Sequence, residues 1–458
     1  MTVTTRAARR DRARPPKGRR IDDWRPEDPA FWTAGGARIA RRNLVLSILT
    51  EHIGFSVWTL WSVLVLFLGP AYGIDAAGKF TLTAVPALIG AALRIPYTLA
   101  VARFGGRNWT IFSTALLLVP AVLAAFLIEP GVSFTTLLVL SAVAGVGGGN
   151  FASSMANINA FYPQRLKGRA LGVNAGGGNL GVAVVQLAGL LVLATAGKDH
   201  PGLVAGVYIP LIVLAALGAA RYMDNLTQAR NDRHAMRDVC KDAHTWIMSV
   251  LYIGTFGSFI GFGFAFGQVL QVQFAADFDT PVKAAYLTFL GPALGSLLRP
   301  AGGWLADRLG GAAVTFWTFA AMAAAAGLVL TASLRGSLPL FLTGFVLLFA
   351  FSGVGNGSTY KMIPAIFRAK AQRGAARGGD PAAAAEHEAR RLAGALIGIA
   401  GAVGAFGGVL VNIAFRQSFQ AYGTGDGAYL AFIAFYAVCC ALTWMAYLRT
   451  RPGRPAGV

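Results

Sequence analysis

RIPYTLAVARFGG (94–106) and RPAGGWLADRLGG (299–311) share one frame. Each places an arginine inside an apolar run, a second arginine nine residues on, and then a pair of glycines. Arg94, Arg103, Gly105 and Gly106 thus match Arg299, Arg308, Gly310 and Gly311 at a constant offset of 205. A second pair, GVGGG (145–149) and GVGNG (353–357), repeats at 208. One such match is within the reach of chance. Two matches on corresponding segments, at nearly the same offset, indicate a duplicated half.

Working outward, both frames sit in a chain of 458 residues that is 55% hydrophobic and only 13% charged. A soluble protein of this size would carry about a quarter charged residues. Apolar stretches of about 20 residues, the length of a membrane span, recur throughout. They are continuous, not alternating, which excludes a β-barrel, so the backbone must satisfy itself as helices. Twelve spans are predicted, at 43–69, 79–102, 109–128, 134–161, 171–195, 203–220, 245–273, 284–306, 312–333, 338–367, 391–416 and 428–447. The charged interruption at 221–244 divides them six and six. The expected organisation is a basic tail (1–42), an N-terminal six-helix bundle (43–220), a linker (221–244), a C-terminal six-helix bundle (245–447) and a short tail (448–458). Residues 1–30 lack the apolar core of a secretory signal and read as a disordered, lipid-facing tail. The segment 368–390 reads as a long loop with no site assigned.

The net charge of +20 raises nucleic acid as a partner, but its distribution rejects that reading. With the amino terminus inside, the cytoplasmic segments hold 32 of the 40 Lys and Arg. The opposite face holds Lys79, Lys198, Lys283, Arg335 and Arg416. This asymmetry predicts an inner-membrane, multi-pass protein with both termini cytoplasmic and anionic lipid as a further attraction. Cys240, Cys439 and Cys440 form neither a disulfide framework nor a metal spacing. No nucleophile or cofactor constellation appears, so neither an enzyme nor a cofactor is expected, and the chain is expected to be a monomer.

Arg94 and Arg299 lie inside spans, where an ionisable group is expensive by about 2.5–3.5 kcal/mol. Snorkelling to the interface is the bland alternative. The matched positions across the repeat favour a shared role instead: two guanidiniums facing one cavity, whose planar forked donors suit a small planar oxyanion. Lys361 reads as a snorkelling residue. Glu51, the one acid placed within a span, is read as a shallow group near the cytoplasmic end, with His52 as a local partner. Both are also the candidates for proton coupling. Glycine runs such as Gly147–Gly149 and Gly176–Gly178 follow no strand, so they signal close helix packing rather than a phosphate loop.

Two bundles related by a pseudo-two-fold axis are the architecture of major facilitator transporters. GGWLADRLG (302–310) resembles that superfamily's cytoplasmic loop motif. The first half departs from it, since Ala102 stands where the acid is expected, and the inter-bundle latch is expected to be one-sided. GVGGGNFASSMANINAFYPQRLKGRALGVNAGGGNLG (145–181) closely resembles the signature of the nitrate/nitrite porters, and GVGNGSTYKMIPAIF (353–367) their second signature. EHIGFSVWTLWS (51–62) and LYIGTFGSFIGF (251–262) are similar as well. The resemblance spans nearly all of 43–447. It implies a nitrate/nitrite transporter with Arg94 and Arg299 as substrate-binding arginines and Phe151 packed against the anion. It further implies Tyr252 and Phe256 as aromatic lining and Asn179 as an amide donor. Nitrate/nitrite exchange by alternating access is the expected activity. Nitrate–proton symport through Glu51 or His52, and a membrane sensor built on a transporter fold, are the rivals.

Overall fold

The computed structural model describes residues 19–196, 200–227, 233–278, 281–376 and 382–449. Within them the transmembrane helices are α1 (Pro29–Phe67), α2 (Ala76–Phe104), α3 (Gly106–Leu127), α4 (Phe134–Phe161), α5 (Gln164–Ala196), α6 (Gly202–Tyr222) and α7 (Ala243–Gln273). The series continues with α8 (Leu290–Leu309), α9 (Gly311–Arg335), α10 (Leu338–Ala376), α11 (Ala382–Tyr422) and α12 (Asp426–Leu448). Eleven of these are long and apolar enough to cross a membrane by length and composition. The exception is α8. The predicted eighth span is broken into Pro281–Thr288 and Leu290–Leu309, and its second piece carries Arg299, Asp307 and Arg308, which lower its hydropathy.

The first six and last six helices form two bundles. Across their interface α2 packs on α11 and α5 on α8. Large apolar side chains such as Leu191, Leu214, Leu297, Trp317 and Leu410 point outward and are more than half exposed, the pattern of a lipid-facing surface. Small residues bring helix backbones together inside. A Cβ on Gly353 would lie 2.1 Å from the Gly295 carbonyl oxygen, and one on Gly302 would lie 2.0 Å from that of Val354. Only glycine allows α8 and α10 to cross that closely.

The residues next to the termini lie on one face, which serves as the reference side below. Their arrangement corrects the expected tail. Residues 19–30 are ordered, and residues 1–18 lie outside the described ones. β1 (Arg20–Ile21) pairs in parallel with β2 (Asn225–Leu226), which follows α6. Trp24 is buried and its Nε1 donates to the Phe161 carbonyl at 3.2 Å. Asp224 accepts from Asn43 at 2.8 Å and pairs with Arg42 and Arg19. An aromatic anchor and a buried carboxylate therefore hold a segment whose composition alone reads as disordered. Helical structure begins at Pro29 rather than 43, because Asp28 caps the amides of Ala30 and Phe31; it breaks at Gly35, whose backbone is not helical, and resumes at Ala37 through the charged ARIARR run (37–42).

The expected loop at 368–390 is corrected in the same way. α10 runs to Ala376 and α11 starts at Ala382, with residues 377–381 outside the described ones. Its alanines favour helix, and Arg391 bonds Glu388 at 2.7 Å on the exposed surface. Lys361 does not simply snorkel: its Nζ bonds both oxygens of Asp307, at 2.8 and 2.7 Å. The acid of the 302–310 motif is thus held inside its own bundle.

Away from the termini the bundles close on one another. Gln268 Nε2 donates to the Ala76 carbonyl at 2.7 Å, and Thr83 Oγ1 donates to Asn412 Oδ1 at 2.8 Å. Phe80 stacks on Phe415 and Phe419 with centroids 5.8 and 5.4 Å apart. A cavity lies between the bundles in the half nearer the termini. Thr98, Phe151, Met155, Tyr360, Gly398 and Gly401 are among its lining.

Candidate functional site

Arg94 is fully buried on α2 and Arg299 is 4% exposed on α8, so neither snorkels. Each is tied by one nitrogen and leaves others over. Arg94 Nη1 donates to the Gly401 carbonyl on α11 at 2.8 Å, while its Nε and Nη2 are buried without a hydrogen-bond partner. Arg299 Nη2 donates to the Tyr252 hydroxyl at 3.0 Å, while its Nη1 is buried without one. Orphaned buried donors are costly, and two guanidiniums holding three of them mark a place prepared for acceptors.

Phe151 brings the pair together. Its ring centroid is 4.6 Å from the Arg94 guanidinium carbon and 5.9 Å from that of Arg299. Phe256 stacks on Phe151 at 5.9 Å and on Tyr252 at 5.2 Å, and its ring also faces Arg94 at 4.8 Å. Cation–π contacts of this kind help hold a charge in a dry site. The three rings are nearly parallel, at 24° between Phe151 and Phe256 and 9° between Phe256 and Tyr252. Asn179 is fully buried on α5, and neither amide atom has a partner.

Sequence reading missed Tyr360 on α10. Its ring lies 5.5 Å from the Arg299 guanidinium and 5.7 Å from Tyr252, and its hydroxyl is buried without a partner. It sits in the quoted 353–367 stretch, one position before Lys361. It lies one α-helical turn beyond Asn356, which is also buried with an unpartnered amide. Trp58, whose ring is 5.5 Å from Arg94, was also missed. It lies in the quoted 51–62 stretch, where a tryptophan reads equally well as core.

Glu51 is the main correction. Expected to be shallow and paired with His52, it is completely buried. Asn174 Nδ2 donates to its Oε2 at 2.7 Å, and Oε1 has no hydrogen-bond partner. His52 turns away, its Nδ1 lying 3.1 Å from the Gly177 carbonyl. The expected depth failed because the unbroken helix that carries Glu51 runs from Ala37 to Trp58 and so starts before the predicted span at 43, which moves residue 51 away from the helix end.

The Major Facilitator Superfamily description matches residues 46–379. The nitrate/nitrite transporter NarU of Salmonella typhimurium is 38% identical, covering 94% of this chain and 97% of that protein. The probable nitrate/nitrite antiporter NarK2 of Thermus thermophilus is 34% identical, covering 96% and 99%. Among solved structures, a D-xylose–proton symporter superposes with a TM-score of 0.65 at 14% identity, covering 89% of this chain and 97% of that one. That likeness speaks for the fold. The chain belongs to the Major Facilitator Superfamily: it is a membrane transporter built from two six-helix bundles. Within that class it belongs to the nitrate/nitrite porter family.

Proposed function

We propose that this chain carries nitrate and nitrite across the inner membrane by alternating access, with both termini cytoplasmic and the anion held between Arg94 and Arg299. The observation that carries the reading is the set of orphaned guanidinium donors around Phe151. Nitrate and nitrite are planar and present in-plane acceptors, so a guanidinium fork meets them edge to edge. The stacked rings of Phe151, Phe256 and Tyr252 would restrict thickness and work against tetrahedral anions. Asn179 supplies a further amide donor. With the face away from the termini closed and the cavity beside Phe151 and Tyr360 on the other side, the route to the site in this state runs from the cytoplasmic side.

Phe151→Ala is expected to weaken nitrate affinity about tenfold, with a smaller effect on the melting temperature in detergent. Removing the ring removes the thickness limit and the contact to both guanidiniums, worth about 1–2 kcal/mol. Isothermal titration with nitrate and sulfate checks this. A variant that loses stability but binds nitrate normally would reduce Phe151 to core packing.

Exchange is the coupling mode we infer. Two unit positive charges facing one site repel by about 2 kcal/mol at a separation of about 7 Å and an effective dielectric of about 20. A bound anion offsets this, so the loaded carrier reorients more easily than the empty one. A second reading, nitrate–proton symport, rests on the depth of Glu51, since a symporter needs a titratable group that reaches the site. Labelled nitrate uptake is measured into liposomes loaded with nitrite, nitrate or neither, with and without a pH gradient. Uptake that requires internal anion supports exchange. Accumulation in anion-free liposomes driven by the pH gradient alone supports symport. No uptake under any condition would sink the transport reading.

A further inference from the structure

Two tyrosines stand beside Arg299, and one of their hydroxyls is unused. Tyr252 on α7 accepts from Arg299 Nη2 at 3.0 Å. Tyr360 on α10 places its ring 5.5 Å from the Arg299 guanidinium carbon and 5.7 Å from the Tyr252 ring. Its hydroxyl is nevertheless buried without a hydrogen-bond partner. A buried hydroxyl left unpaired is a standing cost to the fold. A phenylalanine would fill the same space without that cost, so the oxygen calls for a partner that the protein itself does not supply.

Contacts on either side of Tyr360 along α10 fix its place. A Cβ on Gly357 would lie 2.1 Å from the Arg299 carbonyl oxygen, and one on Gly353 would lie 2.1 Å from that of Gly295. Directly after Tyr360, Lys361 Nζ bonds both oxygens of Asp307. The stretch 353–361 is therefore seated on α8, the helix that carries Arg299. Tyr360 also lines the cavity on the terminal side, together with Phe151 and Gly401. Those two touch Arg94, Phe151 through its ring at 4.6 Å and Gly401 through its carbonyl at 2.8 Å. The corresponding helices α4 and α10 thus each set a ring against the arginine pair, and the α10 ring carries an oxygen.

The free donors suit three oxygens better than two. Arg94 spends Nη1 on Gly401 and keeps Nε and Nη2, the pair that forms one edge of a guanidinium. That edge can hold two oxygens of either nitrate or nitrite. Nitrate has a third oxygen and nitrite does not. Arg299 Nη1 and the Tyr360 hydroxyl are the free donors left to meet it. We propose that Tyr360 is a specificity-determining residue, whose hydroxyl donates to the third oxygen of nitrate and sets a preference for nitrate over nitrite. With nitrite bound the hydroxyl stays unpaired, and a site built to hydrogen-bond a group disfavours the analogue that lacks it. The proposal rests on the anion site between Arg94 and Arg299.

Calorimetry on the purified full chain in detergent measures the dissociation constants of nitrate and nitrite for the unaltered protein, Tyr360→Phe and Tyr97→Phe. Tyr97 is the control. Its hydroxyl is also buried without a hydrogen-bond partner, but its ring packs on Trp109 at 5.0 Å and does not line the cavity. Tyr360→Phe should lower the preference for nitrate over nitrite about tenfold, and Tyr97→Phe should leave that preference where it is. Without anion, Tyr360→Phe should melt at the same temperature as the unaltered protein or higher, since the unpaired oxygen is gone. Nitrate should then raise its melting temperature by less. Should the variant prove unstable in detergent, nitrite competition against labelled nitrate counterflow in proteoliposomes reads the same ratio. An unchanged or increased preference for nitrate in Tyr360→Phe overturns the proposal and leaves the anion site standing. An equal change in Tyr97→Phe overturns it as well. Absence of nitrate binding by the unaltered protein instead fails the reading on which the proposal rests, a distinct result.

Discussion

Arg94→Lys and Arg299→Lys should each lower nitrate uptake by about two orders of magnitude in protein that still folds and reaches the membrane. The reason lies in how the guanidiniums are used. Each spends one nitrogen on a tether: Arg94 on the Gly401 carbonyl of the opposite bundle, and Arg299 on the Tyr252 hydroxyl. The remaining nitrogens, Arg94 Nε and Nη2 and Arg299 Nη1, are buried without a hydrogen-bond partner. Lysine keeps the charge but has one nitrogen on a flexible stem. It can hold the tether or meet the anion, not both in one geometry. Losing a buried charge-assisted hydrogen bond costs about 3 kcal/mol, which accounts for the size of the effect. Counterflow in proteoliposomes measures it, with expression checked by size-exclusion chromatography. Near-normal uptake by a well-expressed Arg299→Lys protein would remove that residue from the site.

Gly357→Ala should be nearly as damaging, though it touches no substrate. A Cβ there would lie 2.1 Å from the Arg299 carbonyl oxygen and 2.5 Å from the Gly303 amide nitrogen. Both are backbone atoms, which cannot swing aside, so α8 must move as a body. The overpacking costs about 1–3 kcal/mol of stability, and the backbone pushed away is the one that aims Arg299. Folded protein should therefore show weaker nitrate binding together with a lower melting temperature. Gly327→Ala on α9 is the control, because a Cβ there meets nothing within 4 Å. Equal behaviour of the two variants would show that the α8–α10 contact does not position the arginine.

What the sequence makes legible follows from which signals are local. Arg94 and Arg299 stand out because a charge in an apolar run is conspicuous, and the duplicated frame pairs them without any coordinates. The twelve spans are legible because lipid imposes length and apolarity on each. Depth is less legible. Glu51 was misplaced because the charged run before it hides the start of α1, so the distance from the helix end was measured from the wrong residue. The two-residue strands β1 and β2 leave no periodicity to read, and the alanine-rich 368–390 stretch looks like a linker while its propensity favours helix. Tyr360 illustrates a third kind of gap. Its importance depends on which way one face of α10 points, and that is decided by glycine contacts with α8 rather than by α10 itself.

The pairing of β1 with β2 bears on how the chain is assembled during synthesis. Arg20 and Ile21 leave the ribosome before the six helices of the first half, yet their partners Asn225 and Leu226 emerge only after α6. Asp224, which gathers Arg19, Arg42 and Asn43, is made equally late. The amino-terminal segment must therefore wait, unpaired, while six helices enter the membrane. Its closure can occur only once all six are in place with β2 on the same side as the start of the chain. A half inserted with one helix missing would put β2 across the bilayer and leave the clasp open, exposing Trp24 and the basic residues beside it. The fold thus carries a completion mark for its first half, and every residue of the clasp precedes α7.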